Sequence, residues 1–132
     1  MLINKDLLDK VSLEAKRSER LRMNFNFHDS LDAPSQRLLN ALEPGTNIPI
    51  HRHQNTSETY IILRGKIQLS LYDNAGHIME SVILSPGTDN VGYNISKGQW
   101  HTLEVLVPDT VIFEVKDGPY WPLKEDDILN RG

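Results

Sequence analysis

Two histidines and a glutamate lie close together near the middle of the sequence. His51 and His53 are separated by one residue, and Glu58 follows them after a short polar stretch, residues 54–57. Residues i and i+2 of a β-strand project from the same face, so both imidazoles can point at one spot. The polar stretch predicts a turn that brings Glu58 back towards them. Two imidazoles and a carboxylate that converge are the ligands of a divalent-metal site.

His101 supplies a fourth candidate ligand from a later part of the chain. It stands at the start of a predicted strand, directly after a turn at Gly98. Inward-facing residues of distant strands meet in the lumen of a small barrel, so His101 can complete the site. Three imidazoles and one carboxylate suit Zn, Fe, Mn, Ni or Co, and the set does not choose among them. A metal that prefers octahedral coordination would keep positions open for water or a substrate.

Two further side chains are candidates for proton transfer in this pocket. Tyr60 shares strand parity with Glu58, so it faces the lumen either as a hydroxyl donor near the metal or as ordinary core. His28 follows a short alternating strand and lies either at the pocket mouth or at the surface. Because Glu58 is used as a ligand, Tyr60 or His28 would have to serve as the general acid or base.

Three other aromatic or basic side chains are interpreted as structural. His77 directly follows a turn over residues 74–76 and is expected to be exposed to solvent. Trp100 and Trp121 are expected to be packing residues rather than platforms for a ligand.

Composition narrows the functional classes. The chain has 132 residues, a net charge of -4 and no run of basic residues, which argues against nucleic-acid binding. It has no cysteine, so disulfides and thiolate ligands are excluded. No apolar stretch is long enough to span a bilayer, and the first residues carry charges where a signal peptide would be apolar. These observations predict a cytoplasmic protein without a membrane partner.

The pattern of apolar residues predicts one helix followed by strands. Asn4 can cap the helix, and apolar residues recur at helical spacing over residues 7–15. Short alternating runs separated by turn signals then predict a mainly β sandwich or barrel. These runs cover residues 23–28, 36–43, 58–63, 67–72, 78–84, 90–95, 100–107 and 110–116, with a further strand across His51 and His53.

The chain length predicts a single domain of three parts. Residues 1–20 form the N-terminal helical segment, and residues 22–117 form the barrel. Residues 118–132 form a tail that is too rich in proline and charge to be a strand. Antiparallel sheets leave edges that must be covered, so the helical segment and the first strand are expected to cover one in a homodimer.

The glycines that flank the candidate ligands complete a resemblance. Gly45, His51, His53, Glu58 and Gly65 have every spacing of the first cupin motif, G-x5-H-x-H-x4-E-x6-G. The second motif is matched by Gly98 and His101 but has Ser96 in place of proline and Val105 in place of asparagine.

Three further stretches resemble one branch of small cupins, the WbuC-type metalloproteins of bacterial O-antigen and other polysaccharide gene clusters. They are residues 22–28, 36–45 and 113–120. The resemblance implies a jelly-roll barrel of antiparallel strands, one divalent metal on the residues named above, and dimerisation. It implies no particular reaction.

Three functional hypotheses follow. The first is a metal-dependent enzyme for a small sugar-derived molecule, by isomerisation or epimerisation, or by oxygen chemistry if the metal is iron. The second is a non-catalytic module that binds such a molecule through its metal. The third is a metal with a mainly structural role, in which case loss of a ligand would cost much stability.

Overall fold

A computed structural model describes residues 1–129 of the chain, which begin with one α-helix. Helix α1 spans Lys5–Arg17. Its cap is the predicted one, since the Leu7 N–H donates to the Asn4 side chain at 3.1 Å. The helix ends where the Ser18 N–H bonds to the Ala15 carbonyl. A side-chain cap and an apolar face explain why this sequence forms a helix here.

Within the described residues, eight strands follow the helix and form two antiparallel sheets. They are β1 (Arg22–Asn26), β2 (Ser35–Leu42), β3 (Glu58–Arg64), β4 (Ile67–Tyr72), β5 (Ile78–Leu84), β6 (Gly92–Ile95), β7 (Trp100–Val105) and β8 (Thr110–Asp117). One sheet has the order β1-β2-β8-β3-β6, and the other has the order β5-β4-β7. The mainly β architecture with one short N-terminal helix is therefore confirmed.

Two apolar clusters hold these layers together. The larger lies between the sheets and consists of Leu42, Tyr60, Ile62, Ile67, Leu69, Leu84, Ile95, Leu103, Val105 and Ile112. The smaller lies between α1 and the outer face of the five-stranded sheet and consists of Val11, Ala15, Leu39, Ala41 and Val111. The helix thus covers a face of its own chain's sheet, and the lumen is left to the other cluster.

Replacing Leu39 tests how much the packing of α1 on the sheet stabilises the fold. It is fully buried, so we expect Leu39→Ala to lower the free energy of unfolding by about 3 kcal/mol through lost burial and a residual cavity. Leu31→Ala is the matched control, since Leu31 is 53% exposed and should change the free energy by less than about 0.5 kcal/mol. Urea unfolding of both variants tests this, and equal midpoints would contradict it.

The segment that carries His51 and His53 differs from the prediction. The strand predicted across the two histidines is wrong, because only His51 forms bridges, to His101 on one side and to Ile128 on the other. The His51 and His101 backbones exchange hydrogen bonds of 3.0 Å and 2.9 Å. Pro49 has no N–H to extend the pairing. The segment is held at one point between β7 and the end of the chain.

The C-terminal residues pack beside this segment. Within residues 118–129, Glu125–Asp127 form a short 3-10 helix, and Ile128 makes a single bridge to His51. The Leu129 N–H then donates to the Ile50 carbonyl at 2.8 Å. The last three residues of the predicted tail lie outside the described residues. Within residues 1–129, no helix has the length and apolar character needed to cross a membrane.

Candidate metal centre

Four side chains meet at one end of the lumen. His51, His53, Glu58 and His101, called here the His/Glu cluster, each offer one ligand atom, and these atoms all lie within 4.8 Å of one another. Glu58 opens β3 and His101 lies on β7, and both are buried. The two other histidines come from the segment between β2 and β3 and are half-buried. All four residues selected from the sequence are therefore brought together.

Backbone carbonyls fix the tautomers of two of the imidazoles. Nδ1 of His51 lies 2.8 Å from the Pro49 carbonyl, and Nδ1 of His101 lies 2.9 Å from the Gln99 carbonyl. Because a carbonyl only accepts, each Nδ1 must carry the proton and donate. The lone pair of each ring is therefore on Nε2, the atom that can ligate a metal. A ring N–H bonded to a carbonyl is the usual support of a histidine that ligates a metal.

The protonation states of these imidazoles suit ligation as well. Burial lowers the pKa of His51 to about 4, and the neighbouring His101 acts in the same direction. Burial also lowers the pKa of the His101 imidazole. Both rings are therefore neutral near pH 7, which is the state that binds a metal.

Glu58 supplies the negative charge of the His/Glu cluster. Burial opposes its ionisation, but the neighbouring His53, with Lys116 and His101 acting in the same direction, outweighs burial and lowers the pKa of Glu58 to about 2. Its buried Oε1 atom is in contact with Nε2 of His53 and has no other hydrogen-bond partner among residues 1–129. A buried carboxylate oxygen that lies against an imidazole nitrogen is in an environment that a cation would satisfy. The donor set therefore fits a divalent metal ion.

The two proton-transfer candidates occupy different places. The Tyr60 hydroxyl is buried in the lumen, 3.5 Å from Nε2 of His101, which is the position predicted beside the site. Burial raises the pKa of Tyr60 well above its usual range, so the hydroxyl stays protonated and acts as a donor. His28 does not belong to the His/Glu cluster. Its Nδ1 lies 3.1 Å from both the Arg37 N–H and the Arg37 carbonyl, which ties it to β2.

Glu114 is a lumen carboxyl that sequence reasoning missed. It lies on β8 directly opposite Tyr60 in the β3–β8 register and is 8% exposed. The Asn40 amide donates to its Oε1 at 3.0 Å. Burial raises the pKa of Glu114 to about 7, and the Glu58 carboxylate acts in the same direction. The available signal was a glutamate within the apolar run of residues 111–115, but the sequence does not show that this residue pairs with Tyr60.

A cavity of about 340 Å³ opens beside the His/Glu cluster. The residues that line it include His53, Lys116, Tyr120 and Trp121. Trp121 is 55% exposed, so its predicted packing role is wrong, whereas Trp100 is buried as predicted. The cavity gives a small molecule access to the cluster at His53, the member of the cluster that lines it.

Comparison of sequences identifies a family without an assigned activity. Residues 3–84 match the model of a family described as "Domain of unknown function (DUF6016)". No curated protein sequence matches the chain.

Several solved structures share the fold. KdgF from Halomonas sp. is 17% identical, with a TM-score of 0.57 over 80% of this chain and 83% of that one. A putative sugar phosphate isomerase from Acidithiobacillus ferrooxidans is 19% identical, with a TM-score of 0.58 over 74% of this chain and 59% of that one. Oxalate decarboxylase from Bacillus subtilis is 14% identical, with a TM-score of 0.59 over 83% of this chain and 27% of that one.

These likenesses show the cupin fold, as predicted. The chain spans little more than a quarter of the oxalate decarboxylase and about three fifths of the isomerase. The resemblance to the WbuC-type branch in particular stays a prediction.

Proposed function

The chain belongs to the DUF6016 family, and we propose that it is a metal-dependent enzyme that acts on a small polar, sugar-derived molecule. The observation that carries the proposal is the His/Glu cluster, with four ligand atoms within 4.8 Å of one another beside an open cavity. Its four members are the proposed ligands of one divalent ion, whether Zn, Fe, Mn, Ni or Co. The solved structure described as a putative sugar phosphate isomerase supports the substrate class by analogy of fold.

The lumen side chains around the cluster have separable roles in this proposal. A bound divalent ion supplies Lewis-acid chemistry, which polarises a carbonyl oxygen. Tyr60 donates a hydrogen bond towards the substrate from beside His101. Glu114 takes a proton from the carbon next to that carbonyl and returns it, while Asn40 holds the carboxyl in place. Such a proton transfer changes the position of a carbonyl or the configuration of a carbon, which is isomerisation or epimerisation.

Glu114→Gln tests the proton-transfer role. We expect kcat to fall by at least roughly 100-fold, because the amide cannot accept a proton while it can still accept the Asn40 hydrogen bond. Turnover of a panel of sugars and sugar phosphates by metal-loaded protein is followed by NMR. Bound metal, measured by elemental analysis, should stay unchanged. Glu104→Gln is the matched control, since Glu104 is exposed on β7 and should keep full activity.

The same assay separates enzyme from binding module. Product formation from any member of the panel supports the enzyme. Tight binding of an unchanged sugar, with no turnover across the panel by fully loaded protein, contradicts it and favours the non-catalytic alternative. Elemental analysis also decides the oxygenase alternative, because a redox-inert zinc would remove it.

A homodimer in the cytoplasm and a place in bacterial surface-polysaccharide metabolism complete the proposal. The WbuC-type resemblance and the two edge strands of each sheet support it. Light scattering at micromolar concentration measures the oligomeric state, and a monomer there would refute the dimer.

A further inference from the structure

Lys116 is a cation beside the candidate metal centre that makes no ion pair among residues 1–129. It lies on β8 directly opposite Glu58 in the β3–β8 register, and its side chain lines the cavity. Within residues 1–129, no carboxylate oxygen lies within 4.0 Å of its ammonium group. The ammonium nitrogen lies over the Tyr120 ring, 5.7 Å from its centroid. A half-buried ammonium group that has no ion pair can still form one with a bound anion.

The acidic groups of the same cavity leave Lys116 available. Asp127 is already engaged, because its carboxylate accepts from the Gln54 amide at 2.5 Å and from the Lys124 N–H at 3.0 Å. Asp117 also lines the cavity, but it follows Lys116 directly on the strand, and successive residues of a strand point to opposite faces. The Lys116 charge acts on the buried Glu58 and Glu114 carboxyls without forming an ion pair with either. The ammonium therefore lines the cavity with no ion pair to hold it.

The walls of the cavity suit a ring rather than a short acid. Tyr120 and Trp121 are 43% and 55% exposed and line the same cavity as His53. Aromatic faces combine apolar contact with a polar handle, which matches the mixed surface of a sugar ring. A volume of about 340 Å³ lies at the lower end of the range for small-molecule pockets, which suits a single monosaccharide.

We propose that this cavity binds an anionic monosaccharide, with its carboxylate or phosphate on Lys116 and its ring against Tyr120 and Trp121. The inference rests on the proposed function, because the far side of the sugar would face the His/Glu cluster. It adds the charge of the substrate and the residue that selects it.

Calorimetry on metal-loaded protein tests this with glucose, glucuronate and glucose 6-phosphate, which differ only at C6. We expect at least one of the charged sugars to bind roughly tenfold tighter than glucose, since a charge-assisted hydrogen bond is added. The advantage should shrink as salt is raised. A preference for glucuronate assigns a carboxylate, and a preference for glucose 6-phosphate assigns a phosphate.

Variants of Lys116 connect the preference to this residue. Lys116→Gln should bind charged and neutral sugars alike, whereas Lys116→Arg should retain the preference. Lys10→Gln is the matched control, because Lys10 is exposed on α1, and it should behave like the unaltered protein. Retained discrimination in Lys116→Gln, equal binding of the three sugars, or binding of none of them would overturn the inference.

Metal content of the same samples keeps the two proposals apart. If only the charged-sugar proposal is wrong, the protein will hold a full complement of metal but will show no preference for a charged sugar. Failure of the proposed function would show as protein that holds no metal, whatever sugar it binds.

Discussion

Replacing His51 by alanine is expected to remove nearly all bound metal, with affinity lowered by at least roughly 100-fold. Loss of a partner that only supports a ligand already costs about 10- to 100-fold, so loss of the ligand itself should cost at least as much. His51 is the best residue for this test because its bonds to His101 are made by the backbone and survive the substitution. Elemental analysis after dialysis, and competition with a chelator, measure the loss.

The matched control is His77→Ala, which removes the same side chain from a hairpin. The His77 side chain is 79% exposed and lies 3.4 Å from Asp73, outside the His/Glu cluster. This variant should hold as much metal as the unaltered protein. Full metal content in His51→Ala would contradict the assignment of the ligands.

The same variant separates a working metal from a structural one. If the metal mainly stabilises the fold, His51→Ala and metal-stripped protein should both unfold at much lower urea concentration, since a ligand at 100 times its Kd stabilises by about 2.7 kcal/mol. If the metal instead serves a reaction in the open cavity, the variant should lose turnover. Its free energy of unfolding should then fall by less than about 2.7 kcal/mol. Unfolding curves with and without metal measure the difference.

Local alternation made much of the barrel predictable. Residues 67–72 alternate between apolar and polar, and in β4 the apolar ones, Ile67, Leu69 and Leu71, are the buried ones. The hairpin turn after them and the return strand Ile78–Leu84 also lie where turn residues placed them. A strand with one face on the core alternates between apolar and polar residues. Its position can therefore be predicted without knowing which strands it pairs with.

The parts that escaped prediction depend on contacts between distant residues. The segment at His51 is ordered by single bridges to β7 and to Ile128, and neither bridge has a periodic signal. Glu114 became a candidate only through its register opposite Tyr60, which follows from how β3 pairs with β8. Trp121 is exposed because the chain after β8 forms the wall of a cavity. The spacing of the ligands in the sequence predicted the His/Glu cluster. The pocket around it depends on the register between β3 and β8 and on the residues after β8.

Gly65→Ala is expected to lower the free energy of unfolding by about 3 kcal/mol. Gly65 turns the chain between β3 and β4 at a φ of +88°, where an alanine costs about 1 kcal/mol in strain. An added Cβ would also stand 2.7 Å from the Cα of Thr110 and closer still to its hydroxyl. Thr110 is fully buried at the start of β8, so it can yield only by moving backbone, which adds the cost of overpacking.

Gly87→Ala isolates the steric part of this loss. Gly87 also has a positive φ, +75°, but a Cβ there would have no atom within 4 Å. It should therefore cost only the strain, about 1 kcal/mol. Urea unfolding of the two variants gives the difference, and equal losses would show that the contact with Thr110 does not matter.

Metal binding by the folded Gly65→Ala protein distinguishes the two kinds of residue in the first cupin motif. Gly65 lies one residue beyond the end of β3, whereas Glu58 opens that strand, six residues before its last residue, Arg64. The substitution should therefore lower stability while the folded fraction keeps its metal affinity. His51→Ala should do the reverse. A joint loss of both properties in Gly65→Ala would mean that β3 transmits the distortion to Glu58, and the glycine would then help to position a ligand.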